Sequence, residues 1–225
     1  MHGLIEFFKE GGPFMYLNLV FVVFSFAVVG ERSYFLFLVY RSNEKATTQQ
    51  VDRYLQAGNL EAAAKAVKDA NDALSRATRN LMKLFRNGYE SPMLAVEEAM
   101  LDVKPLVTKR VGWLWSIANI ATLIGLIGTI LGLIGAFKAV SAVGAADRAS
   151  VLSAKIAEAM NNTAFGLMIA VFCITAHLFL NNQATKTVEA MEHSLFHFVN
   201  LHAQWRKGNR SADAAAAPAS TPGAR

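Results

Sequence analysis

The sequence predicts an all-α integral membrane protein with three transmembrane helices and long cytoplasmic helical extensions. Two observations lead there. Of 225 residues, 53% are hydrophobic and only 17% charged, whereas a soluble domain carries about a quarter charged residues. Mean hydropathy is +0.29. Second, three apolar runs approach or exceed the length of about 20 helical residues that crosses ~30 Å of hydrocarbon.

The elements follow in chain order. Residues 1–12 are expected to form an external N-terminal segment. The first apolar run, Pro13 to Gly30, resumes after Glu31-Arg32 as SYFLFLVY. Transmembrane helix 1 and its cytoplasmic end are therefore assigned to 13–40. The preceding HGLIEFFKEGG holds one Lys and two Glu, and no small-residue cleavage site follows the apolar core. A retained anchor is expected rather than a signal peptide.

A cytoplasmic helical region is assigned to 41–112. TTQQVDRYLQAG ends at Gly58-Asn59, and NLEAAAKAVKDA is expected to stop near Asn71-Asp72. ALSRATRNLMKLFRNG places Leu74, Leu81, Leu84 and Phe85 on one face and stops at Gly88. Ser91-Pro92 reads as an N-cap followed by proline at the first helical position. The helix it starts is expected to run unbroken into the second span, kinked at Pro105.

Transmembrane helix 2 is assigned to 113–137, a stretch without one formal charge. A short external loop, 138–156, joins it to transmembrane helix 3 at 157–180. Val188, Met191, Leu195, Phe198 and Val199 keep helical spacing, so a cytoplasmic extension is expected over 181–207. The low-complexity remainder, 208–225, is expected to be disordered.

Orientation follows from the Lys/Arg bias of the loops. The N-terminal flank holds only Lys9, and the hairpin loop holds Lys138, Arg148 and Lys155. Residues 41–112 hold 12 Lys/Arg, and the tail adds Lys186, Arg206, Lys207, Arg210 and Arg225. An external N-terminus and a cytoplasmic C-terminus satisfy the rule.

Several function classes are set aside by the same residues. The net charge of +5 is spread among acids, with 9 Asp/Glu beside those 12 bases, so no nucleic-acid patch is expected. No nucleophile triad or metal-ligand cluster is present, so no catalytic or metal site is assigned. His193 and His197 are spaced i, i+4 but lie on an amphipathic helix without further ligands. The glycines of GLIGTILGLIG sit inside an apolar span without a GKS/T ending, which excludes a phosphate-binding loop.

The two later spans carry matching stripes. Thr122, Gly125, Thr129, Gly132 and Ala136 fall on one face of span two. Gly128 and Gly132 add a small-xxx-small pattern that permits close helix approach. On span three, Asn162, Thr163, Gly166, Ala170, Cys173 and His177 share a sector opposite an oily face. Helix packing, with each threonine bonded back to its own helix, is one explanation. The other is that the stripes face something polar. Glu158 admits two placements as well: inward-facing in a polar path, or solvated at the outer helix end.

Three segments resemble one family. GGPFM at Gly11–Met15, with Glu31-Arg32 closing the run, looks like the first span of the MotA/TolQ/ExbB ion-channel family. GLIGTILGLIGAF, Gly125 to Phe137, resembles its GLxGTVxGxxxxF signature. IAEAMNNTAFGL, Ile156 to Leu167, resembles its IAEAL-x-x-TA-x-GL signature. The three-span layout with a large cytoplasmic insertion is similar to the TolQ/ExbB branch.

The resemblance implies a ring-forming homo-oligomer, a pentamer, in the bacterial inner membrane with a periplasmic N-terminus. It implies a dimer of TolR/ExbD-like single-span partners, each with a membrane-embedded Asp. The function implied is an ion-conducting stator subunit that couples ion-motive force to mechanical work, with protons the expected ion and no cofactor. By motif position, Thr129 and Thr163 would line the ion pathway and Glu158 would stand towards its outer end. Asn161 and Asn162 depart from the family pattern and would hydrate that end or alter ion preference. Gly125, Gly128, Gly132, Gly135 and Gly166 would pack helices. Two other classes stay open on the residues alone: a non-conducting scaffold, and a small-solute transporter, which would show internal repeats and broken midplane helices.

Overall fold

The computed structural model describes residues 12–40, 44–68, 70 and 72–216. The expected external segment before Gly12 and the tail beyond Ala216 lie outside the described residues. Among the described residues the fold is all-α and 88% helical, and it includes three helices long and apolar enough to cross a membrane. The chain divides into two compact units, Met1–Tyr34 with Thr108–Gln183, and Phe35–Val107 with Ala184–Arg225.

The first unit is built from three long helices. Helix α1, Gly12–Tyr34, buries Met15, Asn18, Ser25, Val28 and Arg32 along one face. The opposite face leaves Tyr16, Val20, Val23 and Phe26 more than half exposed. Helix α7, Val111–Ala142, and the first part of helix α8, Arg148–Ala216, repeat this pattern. Leu123, Ile130 and Phe137 of α7 and Met168, Val171 and Leu178 of α8 are all more than half exposed. An apolar belt of this extent is stable against lipid tails and not against water.

The second unit is a bundle of shorter helices. It holds a π-helical turn, Phe35–Val39, then α2, Glu44–Gln56, and α3, Leu60–Ala66. Helices α4, Ala73–Asn87, α5, Pro92–Met100, and α6, Lys104–Thr108, follow. Side-chain caps start three of them. Asn59 accepts from Ala62 N (2.9 Å), Asp72 from Ser75 N (3.0 Å) and Ser91 from Leu94 N (3.2 Å). Gly58 and Gly88 take positive φ after α2 and α4, where a side chain would be strained. At Gly58 an added Cβ would also run into the Trp205 ring.

The core of this unit gathers Leu55, Leu74, Leu81, Met82 and Val107 with Leu195, Phe198 and Val199 of α8. Each such side chain contributes roughly 1.5–3 kcal/mol by leaving water. His202 lies 4.1 Å, ring to ring, from Phe85 in a stacked arrangement, and within 3.5 Å of the Tyr89 hydroxyl. Burial pushes its pKa below the ordinary imidazole value, and the positive charge of Arg206 pushes it further the same way.

Three elements differ from the sequence expectation. The helix begun at Pro92 does not run into span two; it stops at Met100, reforms as α6 and stops again before α7. Pro105 supplies no N–H and its ring crowds the preceding turn. Arg110 then adopts φ 61, which no continuing helix tolerates. Helix α3 ends at Ala66 rather than near Asn71, closed by a tight Lys68 N to Lys65 O bond of 3.1 Å. Helix α8 continues past Trp205 to Ala216, so residues 208–216 are helical rather than disordered. The alanine-rich SADAAA has high helix propensity, and no proline interrupts it before Pro218.

Candidate functional site

The two stripes read from spans two and three meet each other within this one chain. A Cβ added at Gly125 would lie 3.2 Å from Asn162 O and from Thr163 Cα, and 3.4 Å from Gly166 Cα. One at Gly132 would lie 2.7 Å from the Ala159 side chain. One at Gly166 would meet Ala121 O at 2.6 Å. Small residues thus bring the α7 and α8 backbones together, as the small-xxx-small pattern requires. Gly128 admits the Asn162 amide directly over its Cα. At Gly135 no atom of this chain's described residues lies within 4 Å of the Cβ position, and the residue lines an open cleft.

Thr129 and Thr163 come together at the middle of this seam. Their hydroxyls contact one another. Thr129 also donates back to Gly125 O (3.1 Å), and Thr163 donates across to the same carbonyl at 2.9 Å. Both residues remain half-buried, so the pair reaches the surface of the chain. Thr122 only bonds back to Ala118 O, at 2.9 Å. His177, towards the other end of the seam, places Nδ1 2.9 Å from Val111 O. A carbonyl can only accept, so Nδ1 carries the proton.

A cleft of about 320 Å³ opens beside the seam, lined by Gly12, Phe14, Gly128, Lys155, Glu158 and Asn162 among others. Glu158 forms an ion pair of 2.6 Å with Lys155, one turn earlier on α8. Its Oε1 also lies against the start of α1, 2.9 Å from where a Cβ on Gly12 would stand. Glu158 is therefore both half-exposed and cleft-lining. Asn162 is buried at the inner side of the cleft, whereas Asn161 is half-buried and lies off it.

Two further features escaped the sequence reading. Asn18 is fully buried on α1, against the Gly166 position of α8. The signal was present: it is the one amide inside the run PFMYLNLVFVVFSFAVVG. The second is an ion pair between Arg110 and Glu31, with one guanidinium nitrogen 2.5 and 2.6 Å from the two carboxylate oxygens. The Arg110 guanidinium also stands 5.8 Å from the Trp113 ring centre. Glu31 and Arg110 lie 79 positions apart, so only folding could pair them.

Fold and seam together define a polytopic membrane protein whose helices pack through a glycine, threonine and asparagine stripe. Residues 48–193 match the MotA/TolQ/ExbB proton channel family, and the chain belongs to that family. The match takes in helices of the second unit and both stripe-bearing spans; α1 lies outside it. Among curated proteins, none matches. Members of this family are channel and transport-energising subunits that work with partner proteins in membrane complexes.

Proposed function

We propose that this chain is the channel-forming stator subunit of a proton-driven motor of the three-span TolQ/ExbB type. In this reading it assembles as a pentamer in the bacterial inner membrane around a TolR/ExbD-like single-span dimer. Its N-terminus is periplasmic and its C-terminus cytoplasmic. The observation that carries the reading is the Thr129–Thr163 pair, two hydroxyls brought together at the chain surface in the middle of an apolar unit.

The chemistry follows from solvation. A carboxylate brought by a partner into a low-dielectric seam is costly while ionised, and protonation removes that cost. Hydroxyls facing it can donate to the charged form and accept from the protonated one. In this reading Thr129 and Thr163 do both, each hydroxyl turning its single proton from Gly125 O towards the carboxylate. Glu158, Lys155 and Asn162 line the cleft that would feed the pair. One charge crossing the membrane releases about 2.3 kcal/mol per 100 mV, so several protons are needed per work step.

One observation favours a second reading, a non-conducting scaffold. Both threonine hydroxyls find an acceptor within the chain, Gly125 O, as purely structural hydroxyls would. Replacing each by valine separates the readings, because the shape is kept and the hydroxyl lost. Stability should fall by no more than about 0.6 kcal/mol per hydroxyl, the average for such bonds in membranes. Proton flux through the assembled complex should fall at least tenfold. Intact assembly with unchanged flux would leave only the scaffold.

A further inference from the structure

The membrane unit buries two amides, and the described residues do not fully satisfy them. Asn18 is 0% exposed and Asn162 2%. Among the described residues, neither Oδ1 nor Nδ2 of Asn18 has a hydrogen-bond partner, and Oδ1 of Asn162 has none. An amide buried in this way costs about 1–3 kcal/mol. These atoms are already enclosed by their own helices, so another protein chain cannot reach them. Whatever satisfies them is small.

The chemistry of the two side chains selects among small ligands. Asn18 leaves both a donor and an acceptor open. A cation would take the oxygen and be repelled by the N–H edge beside it. Water donates and accepts, and so meets both needs.

The placement suits water too. Asn162 Nδ2 lies over Gly128, and Asn18 Nδ2 is 3.4 Å from the Cβ position of Gly166. Asn162 and Gly166 are four residues apart on α8, about 6 Å along the axis. Two hydrogen bonds of about 2.8 Å through one water reach about 5.6 Å. Asn162 also lines the open cleft, which gives water a way in.

We propose that Asn18 and Asn162 hold a buried water between them, so that the cleft at Glu158 continues inward as a hydrated branch inside each subunit. The branch passes Thr163 and ends at the level of Gly166. Its use as a proton inlet rests on the function proposed above; the water site itself does not.

Water-edited solid-state NMR on the isotope-labelled full chain in bilayers tests the site. Magnetisation from water should reach the Asn18 and Asn162 side-chain amides about as fast as it reaches Lys155 at the cleft. It should arrive several-fold faster than at the buried Ala121. Amides that receive it no faster than Ala121 would overturn the proposal, with no substitution needed. Asn18→Leu, similar in shape but apolar, should then slow transfer to Asn162 several-fold and lower proton flux by a similar factor in the assembled complex. Undiminished flux in Asn18→Leu would overturn the inlet. Normal flux in the Thr129→Val and Thr163→Val variants would instead overturn the proposed function and leave the water measurement standing.

Discussion

Gly166→Ala is the sharpest probe of the seam, because two opposing effects of similar size meet there. Alanine is the better helix former, and in a helix open to its surroundings the change would stabilise by about 1 kcal/mol. At position 166, however, the new methyl would lie 2.6 Å from Ala121 O and 3.2 Å from Gly125 Cα. Ordinary contact begins at 3.4 Å, so the helices must part by about 3.4 − 2.6 = 0.8 Å. The obstructing atoms are backbone, so no rotamer change relieves the clash. Overpacking of this kind costs typically 1–3 kcal/mol. Parting the helices also stretches the Thr163 bond to Gly125 O, now 2.9 Å, for a further loss of about 0.6 kcal/mol. The net expectation is destabilisation of about 1–2 kcal/mol. Gly135→Ala and Gly30→Ala, with nothing within 4 Å of either Cβ, should be neutral or stabilising. Reversible unfolding of the three variants in mixed micelles, followed by helical circular dichroism, measures the difference. If Gly166→Ala proves as stable as Gly135→Ala, the close α7–α8 approach is not what holds this unit together.

The remaining predictions concern single sites. Arg110→Gly should be more stable than Arg110→Ala by about 1 kcal/mol in thermal melts, since both lose the Glu31 pair and only alanine keeps the unfavourable φ of 61. Asp72→Ala should destabilise the chain by about 1 kcal/mol through loss of the α4 cap, with Asp72→Ser recovering most of it. His202 is held neutral by burial and by Arg206, so the unfolded chain takes up its proton at higher pH than the folded one does. Its contribution is fully present above the ordinary histidine value of about 6.5 and is lost as pH falls from there towards the lowered folded value. Melts across that window should fall less steeply for His202→Phe; an unchanged slope would refute the assignment.

Much of the local architecture was legible because its signals are local. Gly58, Gly88 and the Ser91-Pro92 pair end or start helices through their own backbone preferences, which need no tertiary partner. Arg110 was not legible, because nothing about an arginine in a basic stretch announces a left-handed φ. The extent of α8 was misread for a related reason. Low complexity from Gly208 onwards suggests disorder, yet the alanines there have high helix propensity and the helix runs to Ala216.

The candidate site divides in the same way. Periodicity assigned Thr129, Thr163, Gly125 and Gly166 to stripes, since a helix repeats at 3.6 residues whatever surrounds it. It could not say what each stripe faces. Hydropathy marked Glu158 as costly in lipid without showing its Lys155 partner or the cleft beside Gly12. Asn18 shows the limit most clearly: in the sequence it is one amide in an apolar run, and its meaning depends on what stands opposite.

By itself, then, the sequence determined three apolar spans, their helical faces and the small-residue stripes, because hydrophobicity and helix period are properties of contiguous residues. Only the tertiary structure decided that the two stripes close on each other within one chain, that Glu31 pairs with Arg110, and that Asn18 and Asn162 are buried with amide atoms left unpaired among the described residues. Those facts depend on which helix face meets which, a choice made by the packing of residues far apart in the chain.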